Sequence, residues 1–113
     1  MMAMRNKYGA VKTTLDGYTF DSKREAARYG ELKLLEKAGE IQNLTVHPSY
    51  QIVPGYYIGE EWIRPVHYEA DFQYEEDGEL IAEDVKGVQT ALFKLKAKLF
   101  RKECPHIELR IVR

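Results

Sequence analysis

The sequence predicts one domain of the α/β or α+β class. Three observations lead to this prediction. Helical periodicity occurs twice, after Asp21 and again before Pro105. Strand-like alternation fills most of the chain between the two helices, from Ile41 to Lys86. A last alternating segment, Ile107–Val112, follows the second helix. The predicted order is therefore helix, antiparallel strands, helix, strand.

The size and composition of the chain fit a single globular core. The sequence has 113 residues, of which 44% are hydrophobic, too many for a disordered chain. No apolar run approaches the roughly 20 residues that span a bilayer, and no signal-peptide core follows the N-terminal residues. Cys104 is the only cysteine, which excludes an internal disulfide and favours a reducing cytoplasm. A net charge of −1 excludes a global basic field.

Local signals place the first elements. Residues 1–12 carry scattered basic side chains and are predicted to form a flexible basic arm, with a single domain over 13–113. Asp16-Gly17 predicts a short hairpin. The first helix can begin at Asp21 or Ser22 and ends at Gly39, with Glu25 closing a capping box on Ser22. Its expected buried stripe is Tyr29, Leu32, Leu35 and Ala38.

The clearest strand pattern runs from Val66 to Tyr74, with apolar side chains at every second position. Asp77-Gly78 then predicts a turn into the strand Leu80–Lys86. The second helix is expected over Val88–Glu103. Its expected core stripe is Val88, Leu92, Leu95 and Leu99.

Two acidic residues and a lysine stand out in these strands. Asp84 and Lys86 are two residues apart and face the same side of their strand, while Asp71 lies in the preceding strand. Magnesium prefers hard oxygen ligands and needs few of them from the protein. A metal held this way neutralises phosphate charge and lowers the pKa of a bound water, and a nearby lysine can stabilise the transition state. The Val85 carbonyl, between Asp84 and Lys86, is a further candidate ligand.

This pattern resembles the PD-(D/E)xK, or restriction-endonuclease-like, nuclease superfamily. Ala70-Asp71 matches the first half of the motif and Asp84-Val85-Lys86 the second, with alanine in place of the usual proline. The resemblance implies a central mixed sheet flanked by two helices, with Mg²⁺ or Mn²⁺ as cofactor. It also implies a metal-site glutamate on the first helix, where Glu25 stands at the matching place.

More narrowly, the chain is similar to an uncharacterised family of small phage and prophage proteins placed in that superfamily. The similarity covers nearly the whole chain. It is carried by residues 6–10, 20–23 with 25–26, 51–54, 70–72 and 83–87. A chain of 113 residues is not expected to hold a separate recognition domain, so the resemblance does not predict the substrate preference.

Structural explanations compete with the functional ones. Asp71, Asp84 and Lys86 would also suit a solvated sheet face with a cross-strand ion pair. The capping box explains Glu25 without a metal, and Glu31, which falls in the apolar arc with Arg28, is the reserve acid. Glu83 points away from Asp84 and is not expected to bind the metal. Cys104, His47, His67 and His106 match no structural zinc spacing.

Together these observations predict a Mg²⁺-dependent nuclease that cleaves DNA, with an endonuclease as the favoured form and branched or recombining DNA as one candidate substrate. Asp71, Asp84, Lys86 and Glu25 are the predicted catalytic residues. A homodimer in the cytoplasm of a bacterial host, with DNA as partner, is expected. The alternatives are a non-catalytic DNA-binding or packaging accessory protein and a phage regulator that binds a host protein. The candidate nucleic-acid contacts are Lys7, Lys12, Lys23, Gln89, Lys94, Lys98 and Arg101.

Overall fold

The computed structural model describes residues 2–5 and 11–113, with side chains from Lys12 onward. The two helices in this part of the chain are α1 (Lys23–Lys37) and α2 (Ala91–Glu103). The strands are β1 (Met2–Arg5), β2 (Val11–Leu15), β3 (Tyr18–Phe20), β4 (Gln42–Val46), β5 (Ser49–Val53), β6 (Tyr56–Ile58), β7 (Glu61–Ile63), β8 (Val66–Glu69), β9 (Phe72–Glu76), β10 (Glu79–Val85) and β11 (Ile107–Val112).

The fold is α+β and centres on a mixed four-stranded sheet in the order β11-β10-β9-β4. Strands β10 and β11 are parallel and are joined through α2, whereas the other neighbours are antiparallel. Helix α1 packs on one face of the sheet and builds a core around Tyr29, Leu32 and Phe72. Helix α2 belongs to a second core around Tyr68 and Phe100. No helix in the described chain is long and apolar enough to cross a membrane.

Both predicted Asp-Gly turns are confirmed. Asp16-Gly17 joins β2 to β3, and Asp77-Gly78 joins β9 to β10. All four residues have positive φ angles, between 51° and 81°. Two successive positive φ values are the requirement of a type I′ turn, whose twist matches that of the paired strands. The second turn brings the strand after Asp71 beside the strand that carries Asp84.

The N-terminal residues differ from the predicted loose arm wherever the structure describes them. Met2–Arg5 pairs antiparallel with Val11–Leu15, which forms a three-stranded sheet with β3. Lys7 lies outside the described residues. The division of the chain into an arm and a domain at residue 13 stays a prediction.

The alternating segment Val66–Tyr74 is interrupted at Ala70-Asp71, between β8 and β9. Alternation predicts one face for Val66, Tyr68, Ala70, Phe72 and Tyr74, and the last four of these are buried. However, Tyr68 and Ala70 belong to the α2 core, whereas Phe72 and Tyr74 belong to the α1 core. A regular strand would keep alternate residues on one face, so the chain changes face at the break. Asp71 lies at this break.

Ser22 caps α1 as predicted, because its hydroxyl accepts the Glu25 N–H at 3.1 Å. Of the expected stripe, Tyr29 and Leu32 are buried, Leu35 is half-buried and Ala38 is exposed. The stripe predicted for α2 was wrong. Val88, Leu92 and Leu95 are exposed and Leu99 is half-buried. The helix begins at Ala91, with Thr90 as its cap, and it buries Phe93, Ala97 and Phe100 instead.

Candidate active site

Asp71 and Asp84 lie side by side where β9 meets β10. The backbone N–H of Asp71 donates to the Glu83 carbonyl at 3.1 Å, which fixes Asp71 opposite the end of β10. The two carboxyl groups are close enough for each to shift the pKa of the other. The turn at Asp77-Gly78 sets this register, so the hairpin predicted from sequence is what brings the two acids together.

Asp84 is buried, with 1% of its surface exposed, on the α2 side of the sheet. The Tyr68 hydroxyl donates to its Oδ2. Lys86 Nζ is 3.8 Å from its Oδ1 and 5.0 Å from the centre of the Phe93 ring. Asp84 and Lys86 therefore face the same side of the strand, as predicted, and the Phe93 ring helps to hold the ammonium group there.

The end of β10 holds Asp71 through its backbone. The Val85 N–H donates to Asp71 Oδ2 at 2.7 Å. Within a strand, the N–H and C=O groups of one residue point to the same edge. The Val85 carbonyl is thus directed to the edge where Asp71 lies, as the predicted role of a backbone ligand requires.

Glu25 approaches the same corner from the first turn of α1. It is buried, with 5% of its surface exposed, and its charge raises the pKa of Asp71. Its carboxylate Oε1 lies 3.0 Å from His47 Nε2. The predicted capping box is half present: Ser22 accepts from the helix, while the Glu25 carboxylate binds His47.

His47 is a site residue that the sequence alone did not indicate. Besides its contact with Glu25, it donates its backbone N–H to the Asp71 carbonyl at 2.9 Å. Its φ angle is +55°, a strained value for a residue with a β-carbon. The only signal in the sequence was His47-Pro48, which indicated a turn and no more.

Burial and like charge raise the pKa values of all three acids. The pKa of Asp84 rises to about 7, first because the group is buried and then because Asp71 is adjacent. Burial likewise raises the pKa of Asp71, with a further contribution from Glu25. For Glu25, burial raises the pKa and the His47 contact partly offsets it. A group of acids held together against their own repulsion is a common property of functional sites.

The oxygen donors at this corner suit a divalent cation. In the described part of the chain, no group of three or more Asp, Glu, His or Cys side chains is arranged to hold a metal by itself. The site instead offers the two adjacent carboxylates and the Val85 carbonyl, all hard oxygen donors. Mg²⁺ commonly takes one or two carboxylates from a protein and keeps water in the remaining positions. The residues present therefore fit such an ion, with Glu25 nearby.

The other face of β10 carries a different acid. Glu83 is fully buried and accepts two bonds from Arg28, at 2.7 and 2.8 Å, and one from the Tyr74 hydroxyl at 2.6 Å. Glu83 is therefore not part of the Asp84 site, as predicted. Glu31, the reserve acid, is exposed and pairs with Arg28 at 2.9 Å. The buried partner of Arg28 is thus Glu83, and Glu31 stays on the surface, away from the Asp84 site.

The candidate nucleic-acid contacts lie on the surface. Lys12 is half-buried, whereas the other candidates within the described chain are exposed: Lys23, Gln89, Lys94, Lys98 and Arg101. Gln89 belongs to the segment between Lys86 and the start of α2. Nothing in their contacts assigns them a ligand, and their role in binding stays a prediction.

Comparison with known proteins identifies the family. The chain belongs to the family described as a protein of unknown function, DUF1064, which matches residues 5–113. No curated protein matches the chain, and no solved structure does.

Proposed function

We propose that the protein is a metal-dependent phosphodiesterase that cleaves DNA, on a restriction-endonuclease-like core. One observation carries the proposal. The buried carboxylate of Asp84 and the half-buried carboxylate of Asp71 are held side by side, and the only cation that the described structure pairs with either is the partly exposed Lys86, 3.8 Å from Asp84. Such a pair is electrostatically unfavourable in the free protein and becomes favourable when a cation binds between the acids.

Asp71, Asp84 and the Val85 carbonyl would hold Mg²⁺ or Mn²⁺, and Glu25 would complete the set. When bound, this cation supplies charge neutralisation at the phosphate and a more acidic water. Tyr68 fixes the orientation of Asp84 through its hydroxyl, and the Val85 N–H fixes Asp71. His47 fixes Glu25.

Lys86 is the residue suited to act on the phosphate. Its ammonium group is held beside Asp84 by the carboxylate and the Phe93 ring. From there it donates hydrogen bonds to a phosphate oxygen or to the attacking water, and its positive charge stabilises the charge that develops in the transition state.

DNA would approach along exposed cations such as Lys94 and Arg101 on α2. We place the protein in phage DNA metabolism in the cytoplasm of a bacterial host, with an endonuclease as the favoured form and branched DNA as one candidate substrate. This assignment rests on the family resemblance. The alternative is a DNA-binding or packaging accessory protein that keeps the fold without catalysis, and the same experiment separates the two.

The test is cleavage of supercoiled, linear, single-stranded and four-way-junction DNA, with Mg²⁺ or Mn²⁺ and with EDTA. We expect metal-dependent cleavage of at least one substrate. Asp71→Ala, Asp84→Ala and Lys86→Ala should each reduce it on the order of a hundredfold or more. Glu79→Ala, an exposed acid on the same strand as Asp84, is the control and should cleave normally.

If the wild-type protein binds these DNAs and cuts none of them with either metal, the accessory role is correct. If an Asp71, Asp84 or Lys86 variant cuts at the wild-type rate, the site is assigned to the wrong residues.

A further inference from the structure

Helix α2 leaves half of its apolar surface uncovered. Phe93, Ala97 and Phe100 are buried against the sheet. A second set of apolar side chains, here called the leucine stripe, consists of Val88, Leu92 and Leu95, which are 79%, 62% and 55% exposed, with Leu99 half-buried beside them. At about 100° per residue Leu92, Leu95 and Leu99 fall together on α2, next to the buried face, and Val88 lies in the segment that leads into the helix. Contiguous exposed apolar side chains of this size mark an interaction surface.

A second uncovered apolar surface lies on the β6–β7 hairpin, residues 56–63, here called the aromatic hairpin. Its two strands pair only with each other in the described sheets. Tyr57 and Trp62 are cross-strand partners on one face of the hairpin and are 68% and 50% exposed, while Ile58, which is 60% exposed, alternates to the other face. The Trp62 ring fills the space above Gly55, where a β-carbon would meet it at 2.4 Å. The hairpin is thus internally packed and presents its outer apolar side chains to solvent.

The two surfaces are complementary in charge. Glu60 in the turn of the hairpin and Glu61 at the start of β7 have no ion pair in the described structure. Helix α2 carries five cationic side chains and one acid. By helical geometry, Lys98 and Lys102 flank the leucine stripe on its solvent side.

The two surfaces also match in length. Leu92 to Leu99 spans about 10 Å along the helix. A three-residue strand of the hairpin also spans about 10 Å.

We propose that the aromatic hairpin of one copy of this chain lies on the leucine stripe of a second copy, with Glu60 and Glu61 beside Lys98 and Lys102. Because each copy has one hairpin and one stripe, a two-fold dimer contains the contact twice and closes. DNA is a poor occupant of either surface, since the acidic turn repels phosphate and leucine side chains offer it no hydrogen bond. The proposal does not depend on the cleavage activity proposed above. It leaves Lys94 and Arg101 free for DNA.

The test is the oligomeric state, measured by sedimentation velocity into the high micromolar range. The hairpin variant is Tyr57→Ser with Ile58→Ser, and the stripe variant is Leu92→Ser with Leu95→Ser. Leu34→Ser is the control, because Leu34 is 69% exposed on α1, away from both surfaces. We expect a dimer for wild type and control, and a dissociation constant at least about tenfold higher for both variants. All exchanged side chains are exposed, and circular dichroism checks that each variant folds.

Mixing the variants tests the geometry. The hairpin variant keeps an intact stripe, and the stripe variant keeps an intact hairpin, so a heterodimer regains one of the two contacts. We expect the mixture to dimerise more tightly than either variant alone. Independently, Glu60→Lys with Glu61→Lys should weaken the dimer, and adding Lys98→Glu with Lys102→Glu in the same chain should restore it.

Three results would overturn the proposal. One is a wild-type protein that stays monomeric at every concentration. If the stripe variant of such a protein loses DNA binding, the stripe is a DNA-binding surface instead. Another is a dimer that the stripe variant weakens and the hairpin variant does not, which means that two α2 helices pair. The third is a mixture of the two variants that dimerises no more tightly than either variant alone.

Discussion

Glu83 and Asp84 are neighbours in β10, and both are buried, yet their surroundings differ. Glu83 faces α1, where the Arg28 guanidinium binds both of its oxygens and Tyr74 donates a third bond. Asp84 faces the other side, where it has the Tyr68 hydroxyl, a lysine at 3.8 Å and a second carboxyl. One acid is neutralised within the fold, and the other is placed beside a like charge.

The difference separates a structural acid, Glu83, from the acid that we propose is functional, Asp84. A buried charge is tolerable when it is paired and hydrogen-bonded, and Glu83 meets both conditions. Asp84 meets them only in part, and its pKa accordingly rises to about 7. The fold is therefore less stable than it could be at Asp71 and Asp84, which is expected of a site that a cation completes.

The largest effect should follow from breaking the neutralised acid. Arg28→Ala leaves Glu83 buried without its cation, which we expect to lower the free energy of unfolding by about 3–5 kcal/mol. Glu31→Ala removes only the exposed partner of Arg28 and should cost less than about 1 kcal/mol. Urea unfolding of both variants measures the contrast. Equal effects would mean that the Arg28–Glu83 pair is not the stabilising contact.

A smaller effect should appear in the pH dependence of stability in EDTA. The pKa of Asp84 is raised from 3.8 to about 7 in the fold. Its protonation therefore favours the folded state most at low pH, and this advantage is lost as the pH rises to about 7. As the pH rises across this window, the free energy of unfolding of wild type should fall, relative to that of Asp84→Asn, by on the order of 1 kcal/mol per pH unit.

Asp77→Asn makes the same chemical change at an exposed turn and serves as the control for this measurement. The free energy of unfolding of this control should change with pH across the window as that of the wild-type protein does. If the free energy of unfolding of Asp84→Asn changes with pH in parallel with that of wild type, Asp84 is ionised throughout the window. Its environment then resembles that of Glu83 more than we infer.

The smallest effect concerns the surface around the site. Replacing Lys94 and Arg101 together with Ala should weaken DNA binding at every sequence. The slope of log K against log salt concentration should fall by roughly one for each phosphate that the variant no longer neutralises. Lys33→Ala with Lys37→Ala, on α1, is the matched control. An unchanged slope for the α2 variant would remove these residues from the DNA surface.

Local chemistry in the sequence was enough to predict the part of the fold that builds the site. Asp77-Gly78 predicted the turn, and the turn sets the register that brings Asp71 beside the strand of Asp84. Alternation placed Asp84 and Lys86 on one side and Glu83 on the other, because a strand has a period of two. These predictions depend only on neighbours in the chain.

Predictions that depended on distant packing were less successful. Both Leu92 and Phe93 lie in the apolar arc of α2, and sequence could not say which half the sheet covers. The change of face at Ala70-Asp71 follows from bonds to residues 47 and 48, which approach only in the folded chain. The same holds for His47, whose contact with Glu25 joins residues 22 positions apart.

The central claim is that Asp71 and Asp84 form an incomplete cation site. Thermal melts of wild type and Asp84→Asn, each in EDTA and in several concentrations of Mg²⁺, test it most directly. Mg²⁺ that binds only the folded state should raise the melting temperature of wild type with concentration. Asp84→Asn should be more stable than wild type in EDTA and gain much less from Mg²⁺. A wild-type protein indifferent to Mg²⁺, together with an Asn variant less stable in EDTA, would contradict the claim.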